Sequence, residues 1–316
     1  MVKNLFVGLD IGGTKTAVLV ADQNHDILSR YKTTTHVDNP ASLLAGTITA
    51  IETALDRAGK TEKQILAIGA GVPGHVLSEQ GVVNMAVNLN ISSSYPIGPK
   101  LSKHFAVPVA IENDVRTATL GAYQWLLERR PASSMAYISI GTGIASGAIL
   151  DSRLFRGARG VAGEIGHLCF DPNGPICACG MPGCLEALAS GPAIARAYQL
   201  RAPALAAQAP TAKEVYQAAD AGQTEAVAVI RQTSQILARA AYTLVNMYDV
   251  EVVIFGGGVS SAGASFLDPI LKAVAEMKEE YSMYRAMLRD VAILSLPPQH
   301  SAATWGAIML AQQLTS

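Results

Sequence analysis

The chain gathers its four cysteines between Cys169 and Cys184, and the run Cys177-Ala178-Cys179-Gly180-Met181-Pro182-Gly183-Cys184 follows closely on His167. Three thiolates and one imidazole make a complete tetrahedral zinc set, and a closed set of four is structural, with no open position for metal catalysis. Cysteines confined to one short stretch are a poor way to staple 316 residues and a good way to build one local site. In a reducing compartment metal binding fits them better than disulfides. The alternative is a group of free thiols with Cys169 buried and inert.

Three glycine-rich turns also invite chemistry. In Asp10-Ile11-Gly12-Gly13-Thr14-Lys15 the glycines let the main chain approach a phosphate, Thr14 offers a hydroxyl and an amide, and Lys15 offers a positive charge. Asp10 is suited to holding magnesium through water. Alone, the stretch reads equally well as a hairpin turn, and it has the spacing of neither a Walker loop nor a dinucleotide fingerprint. Gly141-Thr142-Gly143 and Gly256-Gly257-Gly258 close two further strand-like runs, and three such turns together suit the phosphates and nucleoside of one ATP. Glu112-Asn113-Asp114 ends another strand-like run and opens a helical one, so polar side chains sit where α/β sheets bind ligands. Asn and Asp are also good helix caps, and taken alone the pair reads that way.

The elements that must position these groups follow from the apolar pattern. Strand signals at Leu5–Leu9 and Thr16–Val20 flank the first glycine turn, and a helical pattern runs from about Pro40 to Ala58. Further strands are expected at Ile65–Ala70 and Val107–Ile111, with a helix through Leu127. Beyond the break at Arg129–Ser134, Ala136–Ile140, the second glycine turn and Gly147–Leu150 repeat the opening arrangement, a weak internal repeat or two unrelated hairpins. A loop-rich insert covers about 151–191, helical periodicity continues to Tyr248, Glu251–Phe255 reads as a buried strand, and Ser301–Leu314 as a final helix.

Half of the residues are hydrophobic and 16% are charged, which excludes a disordered chain. A net charge of −1 gives no bulk attraction for nucleic acid or an anionic membrane. The apolar run at Leu5–Leu9 is cut by Asp10 before a signal-peptide core or membrane span develops, so the expected location is cytoplasmic. A small-molecule partner is expected.

Read in order, the Asp10–Lys15 motif, Pro73-Gly74, Glu112-Asn113-Asp114, Gly141-Thr142-Gly143, Glu164-Ile165-Gly166-His167, the cysteine motif and Gly256-Gly257-Gly258 resemble the ROK (repressor, open reading frame, kinase) sugar kinases. The resemblance spans nearly the whole chain. It implies an α/β, two-lobed actin-like ATPase (ribonuclease H-like) fold with the active site in the interlobe cleft. The expected lobes are residues 1–115 with 300–316, and 116–299. The implied activity is ATP-dependent phosphorylation of the primary hydroxyl of a hexose, with glucose as the best single substrate and N-acetylhexosamine, mannose or fructose as alternatives.

By this resemblance Asp114 is the general base and Asn113 orients the sugar, while Gly74, Asn88, Glu164, His167 and Glu186 complete the sugar contacts. Asp10, Gly12, Gly13, Thr14, Lys15, Gly141, Thr142, Gly143, Gly257 and Gly258 face ATP and magnesium, and His167, Cys177, Cys179 and Cys184 bind structural zinc. A homodimer or higher homo-oligomer is implied. Repressors of the family carry an added N-terminal DNA-binding segment, which a phosphate motif beginning at Asp10 is expected to leave no room for. A sugar-binding regulator without catalysis is the reading from another class.

Three stretches depart from the family pattern. Asn90-Ile91-Ser92-Ser93-Ser94-Tyr95 lacks the tryptophan usual in family glucokinases just beyond Asn88-Leu89. Arg116 stands where a small or neutral residue is commoner, with phosphate, substrate or a neighbouring carboxylate all open as its partner. Ala145-Ser146 replaces a usual glycine pair, which restricts the backbone there.

Overall fold

A computed structural model describes residues 3–203 and 210–315, so part of the stretch expected to be helical up to Tyr248, residues 204–209, lies outside the described residues, as do the outermost ends of the expected first lobe. The chain forms two compact units, one of Met1–Pro131, Arg156–Val161 and Ser301–Ser316, the other of Ala132–Phe155 and Ala162–His300.

The first unit opens with an antiparallel meander of β1 (Leu5–Ile11), β2 (Lys15–Asp22) and β3 (Ile27–Thr34). Then come α1 (Pro40–Arg57), β4 (Ile65–Val72), a small hairpin of β5 (His75–Leu77) and β6 (Val82–Met85), α2 (Ile97–Phe105), β7 (Val109–Asn113) and α3 (Asp114–Leu127). The sheet order is β3-β2-β1-β4-β7, with β1, β4 and β7 parallel. Helix α1 starts where Asn39 accepts the Ser42 amide and Pro40, having no N–H, needs no acceptor. Its Leu43, Thr47, Ala50, Ile51, Ala54 and Leu55 form one buried stripe of helical spacing over the sheet.

The second unit repeats this plan. Strands β8 (Met135–Ile140), β9 (Ile144–Leu150) and β10 (Arg153–Phe155) form a meander, and β8 pairs in parallel with β11 (Val252–Gly256), which pairs in parallel with β12 (Ala292–Ser295). The order β10-β9-β8-β11-β12 matches the first sheet strand for strand and sense for sense. Between β10 and β11 lie the irregular 156–184 stretch and the helices α4 (Leu185–Ala189), α5 (Gly191–Arg201), α6 (Ala212–Asp220) and α7 (Thr224–Tyr248). Helices α8 (Ala264–Glu280) and α9 (Ser282–Met287) precede β12, and α10 (Ala302–Gln313) ends the chain. No described helix is long and apolar enough to cross a membrane.

Helix α10 belongs to the first unit and lies against β1, β4 and α3. Glycines permit the approach: a Cβ on Gly306 would overlap the Thr117 carbonyl, and one on Gly121 the Ala302 carbonyl. Helix α3 therefore lies whole within the first unit, whereas the expected lobe boundary falls after its second residue. Strand β7 runs two residues further than Val107–Ile111 because its pairing with β4 continues to Val72↔Asn113. Replacing Gly306 by alanine gains about 1 kcal/mol of helix propensity but forces two helix backbones apart, at about 3 kcal/mol for overpacking. Gly306→Ala is therefore expected to lower the urea midpoint, and an unchanged or raised midpoint would refute the close packing.

Candidate active site

The parallel register of β1, β4 and β7 determines what meets at one sheet edge. Asp10 pairs with Gly71, Gly71 with Glu112, and Val72 with Asn113, so the strand ends carrying Asp10, Pro73-Gly74 and Asn113-Asp114 lie side by side. Asn113 caps α3: its Oδ1 accepts the Val115 and Arg116 amides at 3.0 and 3.2 Å, and its Nδ2 donates to the Gly74 carbonyl at 3.2 Å. Gly74 has φ +92°, and a Cβ there would overlap the Met85 carbonyl. The cap read from the sequence is thus present, and the amide group is at the same time wired to the Gly74 turn.

Asp114 and Asp10 are both titration-shifted. Burial raises Asp114, against the Val115 amide and the Arg116 charge, which lower it. Burial and then the Asp114 charge push Asp10 up to about 6, with Lys32 acting the other way. Gly12 and Gly13 follow Asp10 at the tip of the β1–β2 turn, with Thr14 and Lys15 exposed. Thr35 Oγ1 holds the Gly12 carbonyl at 2.7 Å. Asn88, exposed on a one-turn 3-10 helix, brings its backbone against Gly13, where a Cβ would come within 2.7 Å of the Asn88 carbonyl oxygen.

Arg116, left open between three partners by the sequence, is buried and turned to a carboxylate. Its Nε donates to Glu112 Oε1 at 2.7 Å and its Nη1 to the Gly160 carbonyl at 2.6 Å. Glu112, with no exposed surface, also accepts from Arg156 Nε at 2.6 Å, Ser78 Oγ at 2.9 Å and the Asn113 amide at 2.8 Å.

In the second unit, the His167, Cys177, Cys179 and Cys184 ligand atoms lie within 4.8 Å of one another. His167 Nδ1 is 3.8 Å from Cys177 Sγ, and Cys179 Sγ is 3.6 Å from Cys184 Sγ. A tetrahedral ion with metal–sulfur bonds of about 2.3 Å needs sulfurs roughly 3.8 Å apart, so the residues fit zinc. Three thiols this close resist joint ionisation without a cation. The Met181 amide draws Cys179 down to about 7, while burial and the neighbouring thiols drive Cys184 up to about 12. Cys169 is exposed and outside the set, contrary to the alternative in which it is buried.

The cluster folds the loop back on itself. The Leu185 amide donates to the Leu168 carbonyl at 2.9 Å, which sets His167 and Glu186 just outside one pairing. With His167 Nδ1 facing the sulfurs, Nε2 is left for another partner. Glu164 is exposed at the start of the 165–167 turn. Ser146, one of the departures from the family, fixes this segment: its amide and hydroxyl both donate to the Gly163 carbonyl, at 2.7 and 3.0 Å. Glu186 Oε2 accepts the Ile144 amide at 3.0 Å, and a Cβ on Gly143 would come within 2.5 Å of it. The cysteine loop and the Gly141–Gly143 turn are therefore in direct contact.

A cavity of about 690 Å³ opens beside that turn. Gly141, Thr142 and Gly258 line it, as the sequence suggests, together with Gly191 and Pro192 from the start of α5 and Thr211, Lys213 and Gln217 from α6. Gly257 is not on its wall. With φ +88° it turns the chain over the end of β8, where a Cβ would overlap the Ile140 carbonyl. The α5 and α6 residues went unread; the visible signal is the capping box Thr211-x-x-Glu214, which marks a helix start but no ligand.

A model of the ROK family matches residues 6–314. The chain belongs to the ROK family. Its relatives include a glucokinase of Halalkalibacterium halodurans, 32% identical over 89% of this chain and 87% of the relative. An N-acetylmannosamine kinase of Vibrio vulnificus is 33% identical over 81% and 83%. Among solved structures, a ROK family glucokinase from Streptomyces griseus in complex with glucose and AMPPNP superposes with a TM-score of 0.81 at 30% identity, covering 98% of this chain and 99% of that one. The fold is that of the ROK kinases, in the actin-like ATPase class.

The raised Asp10 carboxyl carries a stability consequence. Its folded value lies above the ordinary 3.8, so the folded protein binds the extra proton between about 4 and 6. Stability therefore falls as pH rises through that window. A shift of this size is worth about 3 kcal/mol. In magnesium- and nucleotide-free protein, Asp10→Asn is expected to raise the urea midpoint at pH 8 by more than at pH 4.5. An equal effect at both would show that the carboxylate is not under strain.

Proposed function

We propose that the protein is an ATP-dependent hexokinase that phosphorylates the primary 6-hydroxyl of a hexose, with glucose the favoured substrate. The observation that carries this reading is the Asn113-Asp114 pair at the sheet edge, a capped and partly desolvated carboxylate beside Asp10. The glucose and AMPPNP held by the Streptomyces griseus relative support it.

Phosphoryl transfer depends on alignment and charge neutralisation more than on covalent chemistry. Asp114 accepts the proton of the attacking hydroxyl, and its raised pKa brings it closer to the operating pH, as a general base requires. Asn113 orients the sugar with Gly74 and Asn88. Glu164, His167 and Glu186 accept or exchange hydrogen bonds with the remaining hydroxyls. Gly12, Gly13, Thr14, Lys15, Gly141, Thr142, Gly143, Gly257 and Gly258 hold ATP, with the nucleoside end in the cavity flanked by α5 and α6. Magnesium supplies charge neutralisation on the phosphates, and Asp10 would hold it through water. His167, Cys177, Cys179 and Cys184 hold a structural zinc that stiffens the loop carrying the sugar contacts. The reading extends to a cytoplasmic homodimer or higher homo-oligomer.

A second sugar reading rests on the Asn84–Ser94 region. Ser94, in the stretch that departs from family glucokinases, donates its Oγ to Asn84 Oδ1 at 2.6 Å, and Asn84 Nδ2 meets Nδ1 of His75, which follows Gly74, at 3.2 Å. The N-acetylmannosamine kinase of Vibrio vulnificus among the relatives supports an N-acetylhexosamine as the alternative substrate.

ADP release measured over glucose, mannose, fructose, N-acetylglucosamine and N-acetylmannosamine is expected to show turnover with at least one. Asp114→Asn is expected to lower kcat by roughly 10²–10⁴ with the fold intact; silence across the panel would remove the kinase reading. Protein purified without added metal is expected to carry about one zinc per chain, and Cys184→Ser to lose zinc and melt at lower temperature. A zinc-free chain of full activity and stability would remove the metal from the account.

A further inference from the structure

Glu112 has no exposed surface, and its two oxygens take four donors. Oε1 accepts Arg116 Nε, Ser78 Oγ and the Asn113 amide, and Oε2 accepts Arg156 Nε. Burial works against its charge, and the arginines and the Asn113 amide prevail, so it stays below the usual carboxylate range. A core needs no such group for stability. Buried ion pairs are often matched or bettered by apolar residues of the same volume. The placement is what requires explanation.

Three separate parts of the first unit converge on this carboxylate. The first is the β7–α3 turn itself: Glu112 precedes Asn113-Asp114, Arg116 follows, and Asn113 is bonded to Glu112 through its amide and to Arg116 through Oδ1. The second is the Ser78 turn, which ends the β5 hairpin strand begun just after Gly74. The third is the 156–161 segment, tied by Arg156 to Glu112 and by Arg116 to the Gly160 carbonyl. That segment leads in sequence directly into Gly163 and Glu164. Arg116 is the joint, since its guanidinium fork satisfies a carboxylate through Nε and the Gly160 carbonyl through Nη1 at once.

We propose that Glu112, Arg116 and Arg156 form a positioning triad that holds Asn113-Asp114, the Gly74–Ser78 turn and the 156–161 segment in the arrangement phosphoryl transfer needs. The proposal rests on the kinase reading above and assigns these three residues no contact with substrate.

Arg156 offers the cleanest test because its side chain is 44% exposed and its loss leaves Arg116 on Glu112. Arg156→Gln is expected to melt close to wild type while kcat/KM for glucose falls roughly 10- to 100-fold, the scale of an ångström-sized misplacement. The KM for ATP should stay within about twofold, because no triad residue is assigned to the nucleotide. Arg156→Lys, which keeps a donor and a charge for Oε2, should recover most of the loss. Arg116→Lys should itself lower kcat/KM for glucose, since an ammonium lacks the planar fork that joins the Glu112 carboxylate to the Gly160 carbonyl. Amide exchange of residues 113–117 and 156–161 should quicken in Arg156→Gln and be unchanged elsewhere. Wild-type kinetics in a folded Arg156→Gln, with wild-type protein active on glucose, would overturn the triad and leave the kinase reading standing. Loss of stability without a change in kcat or the glucose KM would equally overturn it. Wild-type protein inactive on every sugar would overturn both.

Discussion

Parallel pairing of β1, β4 and β7 is the constraint on which the rest of the first unit depends. Parallel strands end level with one another, so the loops that leave them start from one edge, and each return to the bottom of the sheet needs a crossover. Helices α1 and α2 supply the two crossovers, and α10 covers β1 and β4 on a face that glycines keep low. With that arrangement fixed, Asp10, Gly74 and Asn113-Asp114 cannot be far apart, although more than a hundred residues separate the first from the last. The chemistry of the edge follows from topology before any side chain is chosen.

Three carboxyls near that edge then face different surroundings. Glu112 lies deepest and is kept ionised by two guanidinium groups and an amide. Asp114 and Asp10 are raised by burial, and Asp10 further by the charge of Asp114. Environments that separate the titration of neighbouring acids are what assigns them separate tasks. A permanently charged Glu112 serves as a fixed anchor for arginines. Carboxyls nearer neutrality are suited to exchanging a proton and to meeting a cation.

The parts of this arrangement that could be read in the sequence are those written locally. Apolar runs gave β1, β4, β8 and β11, and helical periodicity gave α1 from about Pro40, because burial patterns act over a few neighbouring residues. The grouping of His167, Cys177, Cys179 and Cys184 was legible for the same reason, with all four side chains inside one loop. Strand β3 was missed because it is an edge strand, mostly polar and partly exposed, and the β5–β6 hairpin because its strands are too short for a periodicity. Arg116 could not be assigned because its partners are set by tertiary structure: Gly160 lies 44 residues away, and Glu112, one helical turn back, is shared with Arg156 at the same separation. The α5 and α6 walls of the cavity were invisible for a like reason.

The second unit shows what the repeated sheet leaves free to change. On β8 it is Ser139, paired with Gly256 of β11, that stands where Asp10 is paired with Gly71 of β4, and β12, the counterpart of β7, ends at Ser295 and not at an Asn-Asp pair. Backbone amides and a helix start suit an anion better than carboxylates do, because they offer donors without adding negative charge. Glu186, which approaches the turn, has an oxygen committed to the Ile144 amide, and it stands two residues after Cys184. A change in the cysteine loop would therefore reach the Gly141–Gly143 turn through the bond between Glu186 and the Ile144 amide. Gly143 must lack a side chain to admit that bond, so the glycine serves the contact with the loop as well as the turn.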